Sequence, residues 1–189
     1  MAEVIKVIGK NAFVQVFEST RGMRVGDEAE FEGHMLEVTL GPGMLSRNYD
    51  GLQNDLDKME GVFLRRGEYT FPLDNDKLWD FKPLAKVGDK VTAGGWLGEV
   101  DENFQPHKIM VPFTFKGEYT VKSLKEAGQY TIGEVIAVLT DETGKDVEVS
   151  MIQRWPVKRA ITCYKEKPRP YKLLETGVRT IDTVNPIVE

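Results

Sequence analysis

The chain has 189 residues, 41% apolar and 29% charged, with a formal net charge of −5. That balance is ordinary for a soluble globular protein of one or two domains, and the negative charge argues against a general nucleic-acid binder. No apolar run approaches the roughly 18 residues that span a bilayer, the start Met1-Ala2-Glu3 carries no signal-peptide pattern, and Cys163 stands alone, so no internal disulfide can form and a reducing cytoplasm fits.

Residues 1 to 40 read as four short strands. Val4 to Ile8 and Ala12 to Phe17 are rich in β-branched and aromatic residues, with Gly9-Lys10-Asn11 as the turn between them. Gly26-Asp27 introduces a third strand near Glu28 to Phe31. Met35 to Leu40 alternates apolar and polar residues and reads as the fourth. Residues 41 to 57 change character: Gly41-Pro42-Gly43 demands a tight turn, Asp50-Gly51 a second, and Leu52, Leu56 and Met59 could form one face of a short helix.

Residues 61 to 150 are dense in strand signals. Expected strands are Gly61 to Leu64, Glu68 to Phe71, Trp96 to Val100, Lys108 to Val111, Gly117 to Val121 and Glu134 to Leu139. Glycine and proline punctuate them at the short intervals of a small barrel or sandwich. Trp79, Trp96 and Trp155 are expected to anchor a core or a domain seam.

The last stretch, WPVKRAITCYKEKPRPYKLLETGVRTIDTVNP, is basic and broken by Pro156, Pro168 and Pro170, which forbid a regular helix. Lys158, Arg159, Lys165, Lys167, Arg169 and Lys172 give it a positive charge suited to a solvated segment or a subunit contact. A short helix is then expected, with Thr176 as N-cap, Val178, Ile181 and Val184 on one face, and Pro186 as its stop.

With its WPVK and KPRPYKLLETGVRTIDTVNPI segments, the chain resembles the catalytic A subunit of V-type and archaeal-type rotary ATPases. The resemblance is densest at residues 40 to 53 and 155 to 186 and covers nearly the whole chain. It implies a mainly β fold in four parts: a partial N-terminal β-barrel (1 to 40), a linker (41 to 60), an inserted barrel-sandwich-like bulge domain (61 to 150), and the start of the nucleotide-binding domain (151 to 189). Glu18 to Met23 and Val25-Gly26-Asp27 match the second half of that family's barrel, so the expected piece lacks the first barrel strands and everything from the P-loop onward. The bulge separates this family from the F-type β subunit. Gly41, Pro42, Gly43, Asp50, Gly51, Trp155, Pro156, Arg159 and Arg169 become candidate linker or interface residues. One departure stands out: the family places Arg-Pro where Asn54-Asp55 stand here. The implied partners are B-type and other subunits of the soluble head and, through the bulge, the peripheral stalk. The implied location is cytoplasmic, touching the membrane only through the complex. ATP or ADP with Mg²⁺ would be the ligands of the whole subunit.

The chemistry-bearing motifs are sparse. A phosphate cradle needs Gly-x-x-x-x-Gly-Lys-Ser/Thr, and neither Gly9-Lys10 nor Gly144-Lys145 completes it. No catalytic, cofactor-binding or metal residue is therefore expected within these 189 positions, and the piece alone should not hydrolyse ATP. His34 and His107 lack zinc-site spacing, and Asp74, Asp76, Asp80, Asp101 and Glu102 lack a calcium-loop pattern. Val87 to Val100 looks like the turn of biotinyl and lipoyl carrier domains, which makes Lys108 a candidate modified lysine and a carrier module the alternative reading. Lys82, Lys86, Lys90, Phe81 and Trp96 give a faint oligonucleotide-binding pattern, diluted by acids.

Overall fold

The computed structural model describes residues 1–59, 67–164, 166–167 and 169–188. The strand expected at Gly61 to Leu64, and the residues Lys165 and Pro168, lie outside them. Among the described residues the regular structure is twelve short strands, one 3-10 turn and one short helix, so the fold is mainly β.

Strands β1 (Ala2–Ile8) and β2 (Asn11–Val16) form an antiparallel hairpin in which Ile8 faces Asn11 across the expected turn. Gly9 sits there at φ 58, a conformation that costs glycine nothing. The hairpin stands as a two-stranded sheet, with Ile5, Val7, Phe13 and Val14 exposed. The strand expected at Glu28 to Phe31 does not form. This stretch follows turns closed by Met23 N–H to the Thr20 carbonyl and Asp27 N–H to the Arg24 carbonyl. Gly22, Gly26 and Gly33 all have positive φ, and Phe31 is exposed, so no apolar alternation holds a strand.

Strand β3 (Glu37–Leu40) also departs from expectation. It pairs not with the hairpin but with a strand more than a hundred residues later, β12 (Gln153–Pro156), with Val38 opposite Trp155 and Leu40 opposite Gln153. Between these two strands the chain builds a sandwich. One sheet has the order β7 (Gln105–Met110), β6 (Trp96–Glu102), β4 (Leu78–Pro83), β9 (Gly128–Thr131). The other has the order β11 (Asp146–Val149), β10 (Ala137–Asp141), β8 (Tyr119–Leu124), β5 (Lys90–Val91).

Burial of apolar area drives the packing. Leu73, Trp79, Phe81, Val100, Ile109, Ile132, Ile136 and Met151 form one half of the core. Leu97, Val111, Val121, Ala137, Leu139 and Val149 form the other, and Leu124 packs against both. Strand β4 reads Leu-Trp-Asp-Phe-Lys-Pro, and its alternation buries Trp79 and Phe81 while Asp80 and Lys82 face solvent. Gly98 belongs here because a methyl group at its Cβ would stand 2.2 Å from Cε2 of Phe81. No strand forms at Glu68 to Phe71, where the Thr70 N–H donates to the Asn54 side-chain oxygen and the Thr70 hydroxyl accepts from the Asp55 backbone N–H.

Strand β6 carries the feature that arranges everything near it. Its register against β7 shifts between Trp96 and Gly98. The extra residue turns Leu97 into the core and Trp96 outward, leaving Trp96 58% exposed. Trp79 is the buried anchor that was expected, but Trp96 is not. Beyond the bulge the inward positions are Gly98, Val100 and Glu102, so a carboxylate is carried into the interior by strand periodicity.

The terminal helix α1 (Arg179–Val184) is preceded by a turn held in the reverse sense from expectation. Thr176 is not its N-cap; Val178 is. The Asp182 carboxylate instead accepts from the Thr176 hydroxyl (2.6 Å) and from the backbone N–H groups of Thr176 and Gly177. The Thr176 hydroxyl and these amides hold the Asp182 carboxyl below the usual aspartate range. Val178, Ile181 and Val184 are all exposed.

Candidate functional site

The region where β3, β12 and the end of β6 meet gathers most of the candidate residues. Gly41-Pro42-Gly43 leaves β3 and lies against the first half-core. A Cβ on Gly41 would stand 2.8 Å from Cγ2 of Ile152 and 3.2 Å from the Met151 carbonyl oxygen. Pro42 is buried, and Gly43 takes φ 104, which L-residues avoid, beside the Trp79 ring.

Glu102 fixes this loop. Its side chain is 3% exposed. Oε1 accepts from the backbone N–H of Gly43 at 2.7 Å and of Leu45 at 3.1 Å, while Oε2 faces Nδ1 of His107 at 2.7 Å. A buried carboxylate is costly unless its lone pairs are satisfied, and here two backbone amides and an imidazole do so. Across the hairpin, Asn103 Nδ2 donates to the Ser46 hydroxyl at 3.1 Å, a second tie to the same loop. Sequence reasoning placed Glu102 among scattered acids and His107 as isolated. What brings them together is the inward phase of Gly98, Val100 and Glu102 that the register shift sets.

Residues 47 to 58 form a polar knot instead of the expected helix; only Leu56–Lys58 makes a single 3-10 turn. The Asp50 carboxylate accepts from the backbone N–H groups of Leu52 and Asn54 and from the Asn54 side-chain amide (2.8 Å). Burial pushes the Asp50 carboxyl up, but those hydrogen bonds outweigh it and hold it below the usual range. Asn54 and Asp55 are both buried. Asp55 takes Arg47 at 3.2 Å and Lys58 at 3.7 Å, and its N–H donates to the Thr70 hydroxyl. The departure from the family pattern at these two positions is thus built into this chain's own packing. Tyr49 donates to the Pro72 carbonyl at 2.8 Å, and burial followed by the Asp55 charge pushes its hydroxyl up. Gln53 reaches back to both backbone groups of Thr39 at 2.7 Å, joining the knot to β3.

On β12, Trp155 stands edge-on to Phe113, with ring centroids 5.8 Å apart, and its indole N–H donates to the Arg159 carbonyl at 2.8 Å. Pro156 is buried opposite Glu37. The fold therefore brings Gly41, Pro42, Gly43, Trp155 and Pro156 to one seam, with Asp50 tied in through the knot. Gly51 is exposed, and the side chains of Arg159 and Arg169 lie in solvent apart from it. Of the basic segment, Lys158 reaches Glu3 on β1 at 2.7 Å.

Lys108 lies within β7, not at the hairpin turn, which Asn103 and Phe104 occupy. It is ion-paired with Glu99 and lies 5.0 Å above the Trp96 ring. The Lys108 bond holds the Glu99 carboxyl below its usual range. Nothing in this geometry supports the carrier reading. Phe81 is buried, which removes it from any nucleic-acid-stacking surface.

The two glycine-lysine pairs lie in tight turns between strands. Gly9-Lys10 spans the two-residue turn between β1 and β2. At Gly144-Lys145 the Asp141 carboxylate already accepts from the N–H groups of Thr143 and Lys145 and from the Thr143 hydroxyl. Among the described residues no helix is long and apolar enough to cross a membrane.

Two four-stranded sheets packed over a divided core, with the chain returning to the β3–β12 seam, define a β-sandwich. Residues 70–158 match the ATP synthase alpha/beta subunit barrel-sandwich domain, and residues 1–33 match the ATP synthase alpha/beta family beta-barrel domain. Over its whole length the chain is 46% identical to the V-type ATP synthase alpha chain of Treponema denticola and to that of Borrelia garinii subsp. bavariensis, and 42% identical to that of Protochlamydia amoebophila. The chain belongs to the ATP synthase alpha/beta family. It spans about a third of the length of the curated relatives it matches.

Proposed function

We propose that this chain supplies the scaffold of the catalytic A subunit of a V/A-type rotary ATPase, which couples ATP hydrolysis or synthesis to the movement of protons or sodium ions. In this reading β1 and β2 belong to the barrel that crowns the head, residues 41 to 60 are the linker, the sandwich is the outer bulge, and residues from 151 lead into the nucleotide-binding domain. ATP or ADP and Mg²⁺ are ligands of the longer polypeptide, which would hold them by positioning and charge neutralisation. Its partners are B-type and other head subunits and, through the bulge, the peripheral stalk. It works at the cytoplasmic side, peripheral to the membrane.

The observation that supports this best is the full-length similarity to V-type alpha chains, running through the sandwich and through the glycine-proline loop that Glu102 holds. The test is to express a longer polypeptide carrying this span together with a B-type subunit. Native mass spectrometry should show a mixed assembly that hydrolyses Mg-ATP. A longer polypeptide that stays monomeric beside the B-type subunit, with no ATP turnover, would overturn the proposal.

A further inference from the structure

At the seam the buried Glu102 carboxylate meets the His107 imidazole. Oε1 of Glu102 is committed to the Gly43 and Leu45 amides, and Oε2 faces the imidazole at 2.7 Å. We propose that His107 is a protonation-sensitive clasp: in its charged form it holds the Glu102 carboxylate, and through it the Gly41-to-Leu45 loop, more tightly than in its neutral form.

The physical basis is the contrast between two donors in one geometry. A neutral imidazole N–H gives an ordinary hydrogen bond, whereas an imidazolium gives a charge-assisted one about twice as strong. Glu102 is buried, so this contrast is screened little by water. Fixing the carboxylate fixes both amides, because they share its other oxygen. From residues 47 to 55, Tyr49 is the titratable group that feels the Glu102 charge, together with those of Asp55 and Arg47. Arg47 is committed to Asp55 at 3.2 Å and does not replace the imidazole. On β6 itself, Asp101 is exposed and lies opposite Pro106. The sign follows: raising pH discharges His107 and loosens the loop, and lowering it tightens the loop until the carboxylate itself protonates. The inference stands on this chain's geometry and does not depend on the rotary-ATPase reading.

The test is a pH titration of the 189-residue chain by NMR, following the His107 ring protons and the Gly43 and Leu45 amides together. Both amides should shift with the His107 midpoint, and their protection from hydrogen exchange should fall about tenfold as the ring discharges. His107→Gln keeps a neutral donor and should remove that midpoint from both amides, while His34→Gln should leave it in place. Amides that stay flat across the His107 transition in the unsubstituted chain, or that keep the transition in His107→Gln, would overturn the proposal. The first of these comparisons needs no variant to fold.

Discussion

Oε1 of Glu102 accepts a hydrogen bond from the backbone N–H of Gly43 at 2.7 Å, across 59 positions of sequence. That bond joins the end of a sandwich strand to the loop that leads into the sandwich. Glu102→Ala would leave two amides and an imidazole without their acceptor and should lower stability by about 2 kcal/mol. Glu102→Gln retains an accepting oxygen and should cost less. Urea unfolding followed by tryptophan fluorescence measures both.

The glycines at and around the seam should differ sharply. A Cβ on Gly98 meets the Phe81 ring at 2.2 Å, so Gly98→Ala should destabilise by about 3 kcal/mol through overpacking. Gly41→Ala, with its nearest contact at 2.8 Å, should follow the same direction with a smaller loss. Gly51 has open space around it, and Gly51→Ala should stay within about 0.5 kcal/mol of the parent. Thermal melts of the three variants give the order.

Acid should loosen the polar knot through Asp50. Its carboxyl is held below the unfolded-state value, so its contribution is fully present above about pH 4. That contribution disappears as pH falls through the lower folded-state value. Asp50→Asn should flatten this acid limb of the stability-versus-pH curve, as denaturant midpoints between pH 2 and 7 would show.

Hydrogen exchange should divide the chain. Amides of β4, β6, β8 and β10, which surround the two half-cores, should be the most protected. The β1–β2 hairpin and α1, whose apolar side chains are exposed, should exchange fastest. Equal protection across all of them would contradict the burial pattern.

Much of this fold is legible from local chemistry. The Gly9 turn and the cores of β6, β7, β8 and β10 follow from β-branched residues between glycines. Strand β4 hides its signal, because Asp80, Lys82 and Pro83 dilute an alternation that only Trp79 and Phe81 carry. The β3–β12 pairing is invisible locally, since its partners lie far apart and only the intervening sandwich brings them together. The seam was half legible: Gly41-Pro42-Gly43 and Trp155-Pro156 stood out as motifs, but their meeting did not. Glu102 was missed because a charged residue at a strand end normally reads as solvent-facing. The bulge at Leu97, which sends Trp96 outward and sets the phase that buries Glu102, has no signature of its own in the residues.

The measurement that bears most directly on the scaffold reading is ATP turnover by the purified 189-residue chain with Mg²⁺, read beside its melting temperature with and without nucleotide. The expected result is no phosphate release above buffer and no nucleotide-dependent shift in melting. Sustained release of phosphate by this chain alone would contradict it.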